Sequence, residues 1–221
     1  ALFALYVSQL NATEVEIGPF QRGWIFGFGY FIGAINWILE PFLIDASRHG
    51  WMAPFALTFV AGGLSLFWGL GVKLCQLLGN NSYSLALGLG STELVRGYIL
   101  TGFPWALVGY IWTDTPIAQL ASLVGVYGLT ILTFILIALL IEIFVKYGAY
   151  LTAVLGCCLL VIGWSWGTYR AMESKAPEAT SVVRLIQPNA PQKEKWHPEH
   201  SLKFFERMLD YSSAEPKPDI I

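Results

Sequence analysis

Charged residues are missing from three long stretches of the chain, and their absence constrains the fold more than any other feature. Residues 49–72, 115–141 and 147–169 contain no Asp, Glu, Lys or Arg. A helix needs about 20 apolar residues to cross a bilayer core of roughly 30 Å, so each stretch is long enough to span. Backbone groups must be paired in lipid, which favours helices over open strands. We therefore predict a mainly α protein in which residues 1–170 form a polytopic transmembrane helix bundle.

The composition supports a membrane domain and argues against other classes. Hydrophobic residues make up 55% of the chain and charged residues 13%, whereas soluble proteins have about 25% charged residues. The net charge of −2 provides no basic surface, so no nucleic-acid partner is expected. Cys75, Cys157 and Cys158 lie in apolar segments, where we expect packing or lipid-facing roles rather than disulfides, metal ligation or nucleophilic catalysis.

Short turn-forming linkers divide the apolar part of the chain into separate helices. Six hydrophobic stretches can be drawn: residues 1–10, 23–39, 51–73, 84–101, 118–141 and 150–168. Glycine is frequent within them, and small residues allow membrane helices to approach closely, so we expect these glycines to pack helices together. The few basic residues favour an extracytoplasmic location for everything after residue 170.

The sequence changes character after Arg170. Residues 171–180 form a polar linker, and residues 181–186 are rich in β-forming residues and predict a strand. A Pro-containing turn then leads to residues 198–213, where apolar positions recur at helical spacing. Residues 219–221 resemble the start of another strand. The order strand, helix, strand predicts the first unit of an α/β layered domain.

Glu93 and Arg96 form an opposite-charge pair inside an apolar stretch. Ionised groups in a membrane helix cost about 2.5–3.5 kcal/mol each on insertion scales, so they normally face protein or water and are paired. One interpretation is a polar floor under a lipid head-group pocket, with Arg96 contacting phosphate. The other is a structural ion pair near the end of the helix.

A helix breaker lies between two large aromatic residues at Phe103-Pro104-Trp105. The segment is either an interfacial turn within an aromatic belt or a re-entrant arm bordering a lipid-access cavity. The residues alone do not choose between these interpretations.

The polar part of the chain shows no assembled catalytic chemistry. Residues 171–221 contain no Cys and no pairing of a nucleophile with a base. Trp196 either covers the domain core or lines a lipid-facing pocket. His197 and His200 lack further nearby Cys or His ligands, so we expect a solvated helix start and no metal.

Five groups of short sequence runs follow one another along nearly the whole chain. They are Gly23-Trp-Ile-Phe-Gly-Phe-Gly29 with Asn36-Trp37, Glu93 with Arg96, Thr101-Gly-Phe-Pro-Trp105 with Gly109-Tyr110, Gly125-Val-Tyr-Gly128, and Arg184-Leu-Ile-Gln-Pro-Asn189 followed by Lys195-Trp196. No single run is specific, but their combination and order are. Together they resemble bacterial apolipoprotein N-acyltransferases.

The resemblance implies a bacterial inner-membrane enzyme with an extracytoplasmic αββα nitrilase-like (carbon–nitrogen hydrolase) domain, which residues 181–221 would begin. The implied reaction transfers an acyl chain from a phospholipid to the N-terminal diacylglyceryl-cysteine of an apolipoprotein through a Cys thioester, without a cofactor. A Glu base and a Lys that stabilises the oxyanion complete the implied site. All three catalytic residues are expected beyond Ile221, so this chain is expected to be inactive alone. Because the sequence opens within a hydrophobic run and closes on the start of a strand, truncation is expected at both ends.

The resemblance also suggests which residues here contact substrate. Trp196 matches a position beside the active site, and Gln187 and Asn189 lie in the loop after the first strand. Phe103, Pro104 and Trp105 match a membrane arm near the point where substrate enters, and Glu93 and Arg96 lie close to it in sequence. The expected partners are the phospholipid donor, the diacylglyceryl-modified apolipoprotein and membrane lipids.

Two other functions remain open from the sequence. One is a related membrane nitrilase-like protein acting in lipid-linked glycan metabolism. The other is a non-catalytic membrane module or transporter, for which Glu93 and Arg96 would be suitable polar residues, although no inverted repeat is visible.

Overall fold

A computed structural model describes residues 17–173, 181–191, 194–195 and 197–221. The main helices are α1 (Pro19–Ala34), α2 (Ala53–Leu77), α3 (Ser82–Tyr98), α4 (Ala121–Tyr147), α5 (Ala149–Glu173) and α6 (Pro198–Ser213). Short helical turns, unnumbered here, connect them at Asn36–Leu39, Glu40–Leu43, Ala46–His49, Gly50–Met52, Ile99–Thr101, Val108–Trp112 and Pro116–Leu120. The prediction of a mainly helical protein is confirmed.

Three helical stretches in the described part of the chain are long and apolar enough to cross a membrane: Ala46–Leu77, Pro116–Tyr147 and Ala149–Glu173. A fourth candidate is the pair Pro19–Ala34 and Asn36–Leu43, which bends by 63°. These apolar helices fit a membrane protein.

The six predicted hydrophobic stretches have different outcomes. The first, residues 1–10, lies outside the described residues, and the other described stretches are helical, as expected. The stretch 84–101 becomes α3, which has 17 residues and is not among the membrane-length candidates. It begins at a polar cap, where Asn81 Oδ1 accepts a hydrogen bond of 2.9 Å from the Ser84 amide.

Small residues set the distance between α1 and α2. Gly23 and Gly27, one turn apart on α1, face the backbone and side chains of α2. A Cβ atom on Gly27 would lie 3.0 Å from Trp68 Cβ and 3.3 Å from Ser65 Cα. The two helices therefore pack in the small-residue manner typical of membrane proteins.

The contact between α2 and α3 is equally close. A Cβ on Gly71 would lie 2.9 Å from Thr92 Oγ1 and 3.1 Å from the Gly88 carbonyl oxygen, and a Cβ on Gly88 would overlap the Gly71 carbonyl. Both glycines are therefore needed for α2 and α3 to cross at this distance. Among the glycines at positions 27, 29, 33, 62, 63, 69 and 71 of the apolar stretches, the predicted packing role is confirmed at four and not at three. Gly27, Gly62, Gly69 and Gly71 lie against neighbouring helices, whereas Gly29, Gly33 and Gly63 face open space.

Residues 99–120 connect α3 to α4 without a continuous helix. Gly109 lies against α4, where its amide donates a 3.1 Å hydrogen bond to Thr130 Oγ1. Trp112 Nε1 donates a second such bond, of 2.9 Å, to Thr133 Oγ1. Helix α4 is interrupted at Gly125, where φ is 68°, a conformation that favours glycine. The connection is thus held to α4 through side-chain hydroxyl groups.

The described residues after position 180 contain one helix and one β-bridge. Helix α6 has the predicted bounds, Pro198–Ser213. Residues 181–186 do not form the predicted strand: in the described residues the β-structure is a single parallel bridge between Val183 and Ile220. A single bridge pairs few backbone groups, and strands normally become stable only within larger sheets.

Two arginines hold this segment together. Arg184 donates from its guanidinium to the carbonyl oxygens of Tyr211, Ser212, Ala214 and Pro216, at the C-terminal end of α6, where a cation is favourable. Arg207 of α6 donates to the Pro188 carbonyl at 2.6 Å. Side chains, more than a sheet, therefore position the loop after Ile186.

The close crossing of α2 and α3 generates a stability prediction. We expect Gly88→Val to lower the apparent melting temperature of the purified protein, because its side chain collides with the Gly71 backbone and overpacking costs about 1–3 kcal/mol. Gly33→Val makes the same chemical change where a Cβ meets open space. Equal melting temperatures for the two variants would contradict the assigned role of the crossing.

Candidate functional site

Glu93 and Arg96 form a fully buried ion pair on α3. Each side chain is 1% exposed, and Arg96 Nη2 lies 2.5 Å from Glu93 Oε2. Burying two charges is unfavourable unless both are paired and their remaining hydrogen-bonding atoms are also satisfied. The identity of the other partners therefore decides what the pair does.

Trp68 of α2 supplies the second partner of the carboxylate. Its indole Nε1 donates a hydrogen bond of 2.6 Å to Glu93 Oε1. Both oxygens of Glu93 are thus occupied, one by Arg96 and the other by Trp68. The interaction fixes α2 to α3 close to their glycine crossing.

Arg96 uses its other terminal nitrogen atom, Nη1, to hold the following loop. Its Nη1 donates to the Phe103 carbonyl at 2.6 Å and to the Trp105 carbonyl at 2.9 Å. The Phe103 amide donates in return to the Arg96 carbonyl at 3.1 Å. We refer to residues 102–106 as the Phe-Pro-Trp loop, and Arg96 is its anchor.

Aromatic residues of α1 complete the surroundings of the loop. The Tyr30 hydroxyl donates to the Ala106 carbonyl at 3.1 Å, and the Tyr30 ring stacks on Trp68 with centroids 4.8 Å apart. The Arg96 guanidinium lies 5.2 Å from the centre of the Phe31 ring, a cation–π distance. Two side chains, those of Arg96 and Tyr30, therefore hold three carbonyl groups of the loop, at positions 103, 105 and 106.

The backbone around the loop is strained. Leu100, Thr101 and Ala106 have φ angles of 52°, 76° and 59°. Such conformations are unfavourable for residues with a Cβ, by roughly 1–3 kcal/mol each, and persist where neighbouring contacts enforce them. The Arg96 and Tyr30 hydrogen bonds are contacts of this kind.

An apolar cavity of about 620 Å³ lies beside the loop. One wall is a face of α2 and the other is the turn at residues 99–103. Arg96 contributes the charged group of its lining. We refer to this cavity as the α2 groove.

The structure brings together four of the residues singled out in the sequence. Glu93, Arg96, Phe103 and Trp105 belong to one cluster. Trp105 is 56% exposed and its ring meets that of Trp37 edge-on, with centroids 6.0 Å apart. Of the two interpretations of Glu93 and Arg96, the geometry matches the structural ion pair, and a contact between Arg96 and phosphate stays a prediction.

The other predicted site residues lie outside this cluster or outside the described residues. Pro104 is exposed on the Phe-Pro-Trp loop. Gln187 and Asn189 are exposed in the segment anchored by Arg207. Trp196 lies outside the described residues. Substrate contact by any of these residues stays a prediction.

Trp68 and Tyr30 are members of the cluster that sequence reasoning missed. The signal was available for Trp68, which lies in the middle of a membrane-length apolar helix rather than near its ends. A Trp at that depth needs an internal acceptor for its N–H group. Tyr30 offered no comparable signal.

His197, Glu199 and His200 place potential metal ligands within 4.8 Å of one another. They occupy the start of α6, and the positive end of a helix dipole disfavours a cation. His197 and Glu199 are exposed. The expectation of no metal site therefore stays a prediction.

Comparison with known proteins identifies the family. Residues 1–140 match the model of the apolipoprotein N-acyltransferase N-terminal domain, a region that contains the whole buried cluster. The chain belongs to the apolipoprotein N-acyltransferase family.

Individual relatives carry the same name. The apolipoprotein N-acyltransferase of Caulobacter vibrioides is 38% identical over 204 residues, covering 90% of this chain and 38% of that protein. Those of Allorhizobium ampelinum and Brucella suis are each 30% identical, over 212 and 230 residues, covering 91% and 95% of this chain. The chain spans 38% to 43% of the length of these relatives.

The role of Trp68 generates a prediction for the Phe-Pro-Trp loop. Trp68→Phe keeps an aromatic ring but removes the donor to Glu93, leaving a buried carboxylate oxygen unpaired at a cost of about 1–3 kcal/mol. We expect a lower melting temperature and faster hydrogen exchange at the Phe103 amide.

Trp24→Phe is the matched control. It also removes an indole hydrogen bond, that from Trp24 Nε1 to the Gly62 carbonyl at 3.0 Å, but not one that touches the ion pair. If both variants change exchange at Phe103 equally, Trp68 has no specific role in holding the loop.

Proposed function

We propose that the full-length protein is an apolipoprotein N-acyltransferase, and that this chain supplies membrane helices and the start of the catalytic domain. The observation that carries the proposal is family membership across the region holding the buried cluster. Relatives of that name also align with at least 90% of the chain. An apolar groove beside a rigidly held loop suits an enzyme whose donor is a lipid.

We assign residues 1–170 to the membrane domain, 171–180 to a linker and 181–221 to the beginning of a nitrilase-like domain on the extracytoplasmic side of the bacterial inner membrane. Two observations support the last assignment. The bridge between Val183 and Ile220 is parallel, as expected when a helix connects neighbouring strands of one sheet. Leu202, Phe205 and Leu209 leave one face of α6 apolar and exposed, a face that further layers of such a domain would cover.

The proposed reaction has two acyl transfers. A Cys thiolate attacks an ester carbonyl of the phospholipid, and the lyso-phospholipid leaves with a proton. The amino group of the apolipoprotein's diacylglyceryl-cysteine then attacks the thioester, the thiol is released, and an amide forms. The Glu base, the oxyanion-stabilising Lys and the Cys belong to the full-length protein beyond Ile221, and the reaction needs no cofactor.

Residues of this chain would position the lipid substrates. The Phe-Pro-Trp loop presents Trp105 and Pro104 at the surface while Arg96 and Glu93 hold its backbone from below. Trp196, Gln187 and Asn189 would lie near the reacting groups in the complete catalytic domain. The buried cluster around Glu93 and Arg96 would therefore support the Phe-Pro-Trp loop. The acyl transfers would take place in the catalytic domain, outside this cluster.

Covalent labelling tests the proposed function. The full-length protein incubated with a phospholipid labelled in its acyl chain should retain label through denaturation, and hydroxylamine, which cleaves thioesters, should release it. Addition of a diacylglyceryl-cysteine peptide should transfer the label to the peptide as a hydroxylamine-stable amide. Residues 1–221 alone should acquire none.

Each contrary outcome of the labelling experiment has a definite meaning. Absence of any adduct on the full-length protein would reject the enzyme and favour a transporter. An adduct that cannot be passed to the peptide would favour a related enzyme with another acceptor. Turnover by residues 1–221 alone would refute the placement of the catalytic residues.

Trp196 provides a separate prediction. We expect Trp196→Ala in the full-length protein to reduce acyl transfer at least about tenfold, as the loss of a buried aromatic substrate contact would, with little change in melting temperature. Trp164→Ala, which removes an exposed Trp from α5, is the control. Parallel losses of stability and activity in Trp196→Ala would assign Trp196 to the domain core instead.

A further inference from the structure

We propose that the α2 groove binds one acyl chain of a phospholipid, and that Arg96 Nε–H donates a hydrogen bond to the ester carbonyl of that chain. The inference rests on the proposed function and names a site for its lipid donor. It replaces the sequence-based idea of an Arg96 contact with phosphate.

The shape and lining of the groove suit a hydrocarbon chain. Its volume of about 620 Å³ falls within the range of roughly 300–1,000 Å³ typical of ligand pockets. The walls are almost entirely aliphatic and aromatic, and the principal lining residues are Phe59, Gly63, Leu66, Leu70, Leu100 and Phe103. Apart from Arg96, no charged side chain lines it in the described part of the chain.

The position of the groove selects a membrane lipid as its occupant. One wall is α2, which belongs to the membrane-length stretch Ala46–Leu77. Leu66 and Leu70 on this wall are about half exposed, so the groove opens to the medium surrounding that helix. In a bilayer this medium is acyl chains.

Arg96 is the one charged residue among the described residues that line the groove. Both Nη atoms are engaged, by Glu93, Phe103 and Trp105. Its Nε atom is buried and has no hydrogen-bond partner among the described residues. An unpaired buried donor is unfavourable by about 1–3 kcal/mol. An acceptor that enters from the groove and displaces the side chains enclosing Nε would therefore be stabilised there.

The charge of the cluster favours an ester carbonyl over a phosphate. Glu93 already neutralises Arg96 at 2.5 Å, and a phosphate would place a second anion near the Glu93 carboxylate. A neutral carbonyl accepts a single N–H without that repulsion. The ester carbonyl also lies at the boundary between the acyl chain and the head group, where a chain in the groove would present it to Arg96.

Photolabelling of the full-length protein in lipid nanodiscs tests the site. The probe is a phosphatidylethanolamine with a photoreactive diazirine in one acyl chain, and labelled peptides are located by mass spectrometry. We expect label concentrated at residues 59–70 and 99–103. Labelling spread evenly over the apolar helices would mean that the groove holds only the surrounding bilayer lipid, and would overturn the proposal.

Gly63→Leu and Gly29→Leu form a matched pair. A Cβ atom at either position meets open space, but only position 63 lines the groove. We expect Gly63→Leu to reduce labelling roughly tenfold, as when two or three methylene groups lose their burial, while Gly29→Leu leaves it unchanged. Both variants should melt as the wild type does. Equal labelling in the two variants would also overturn the proposal.

An ether-linked version of the probe tests the carbonyl contact. It keeps the phosphate and the chain but lacks the ester carbonyl, so we expect it to label the groove about three- to tenfold less than the ester probe. Equal labelling would overturn the role assigned to Arg96 Nε. The readout does not require turnover, so failure of the acyl-transfer assay with intact groove labelling would reject the enzyme function and leave the site standing.

Discussion

The packing of helices α1 to α3 and of the loop after them depends on how one buried arginine is paired. Arg96 is removed from water almost completely, and its charge is tolerated because Glu93 neutralises it and two backbone carbonyls accept hydrogen bonds from its Nη1. Trp68 then satisfies the remaining carboxylate oxygen. Removing one member would leave a buried charge or polar atom without its partner, so helices α1 to α3 and the Phe-Pro-Trp loop behave as one unit.

Irregular backbone is difficult to place inside a membrane because lipid offers no hydrogen bonds. Here three carbonyl groups of the loop after α3 are paired with side chains from two helices. This arrangement keeps Leu100 and Thr101 in unfavourable backbone conformations and leaves an open groove beside them. An opening of this kind would suit the proposed lipid donor, because a lipid could enter the groove while the loop beside it stays folded.

Sequence reasoning succeeded where a residue's neighbours lie nearby in the chain. Charge-free stretches predicted the apolar helices, and periodicity predicted α6 at its observed bounds. Residues 181–186 failed as a strand because β-pairing depends on distant partners, here reduced to Ile220. Glu93 and Arg96 were recognised as a pair, but the distant atoms that decide their role, on Trp68 and Trp105, are not encoded in local spacing.

Arg184 has a consequence for the order of assembly. Its guanidinium bonds four carbonyl groups at the C-terminal end of α6. These bonds hold the chain after α6 close to Val183 without a completed sheet. These hydrogen bonds can form in water as soon as α6 has formed, because they do not require an apolar core. The exposed apolar face of α6 would then already be oriented for packing against the rest of the domain.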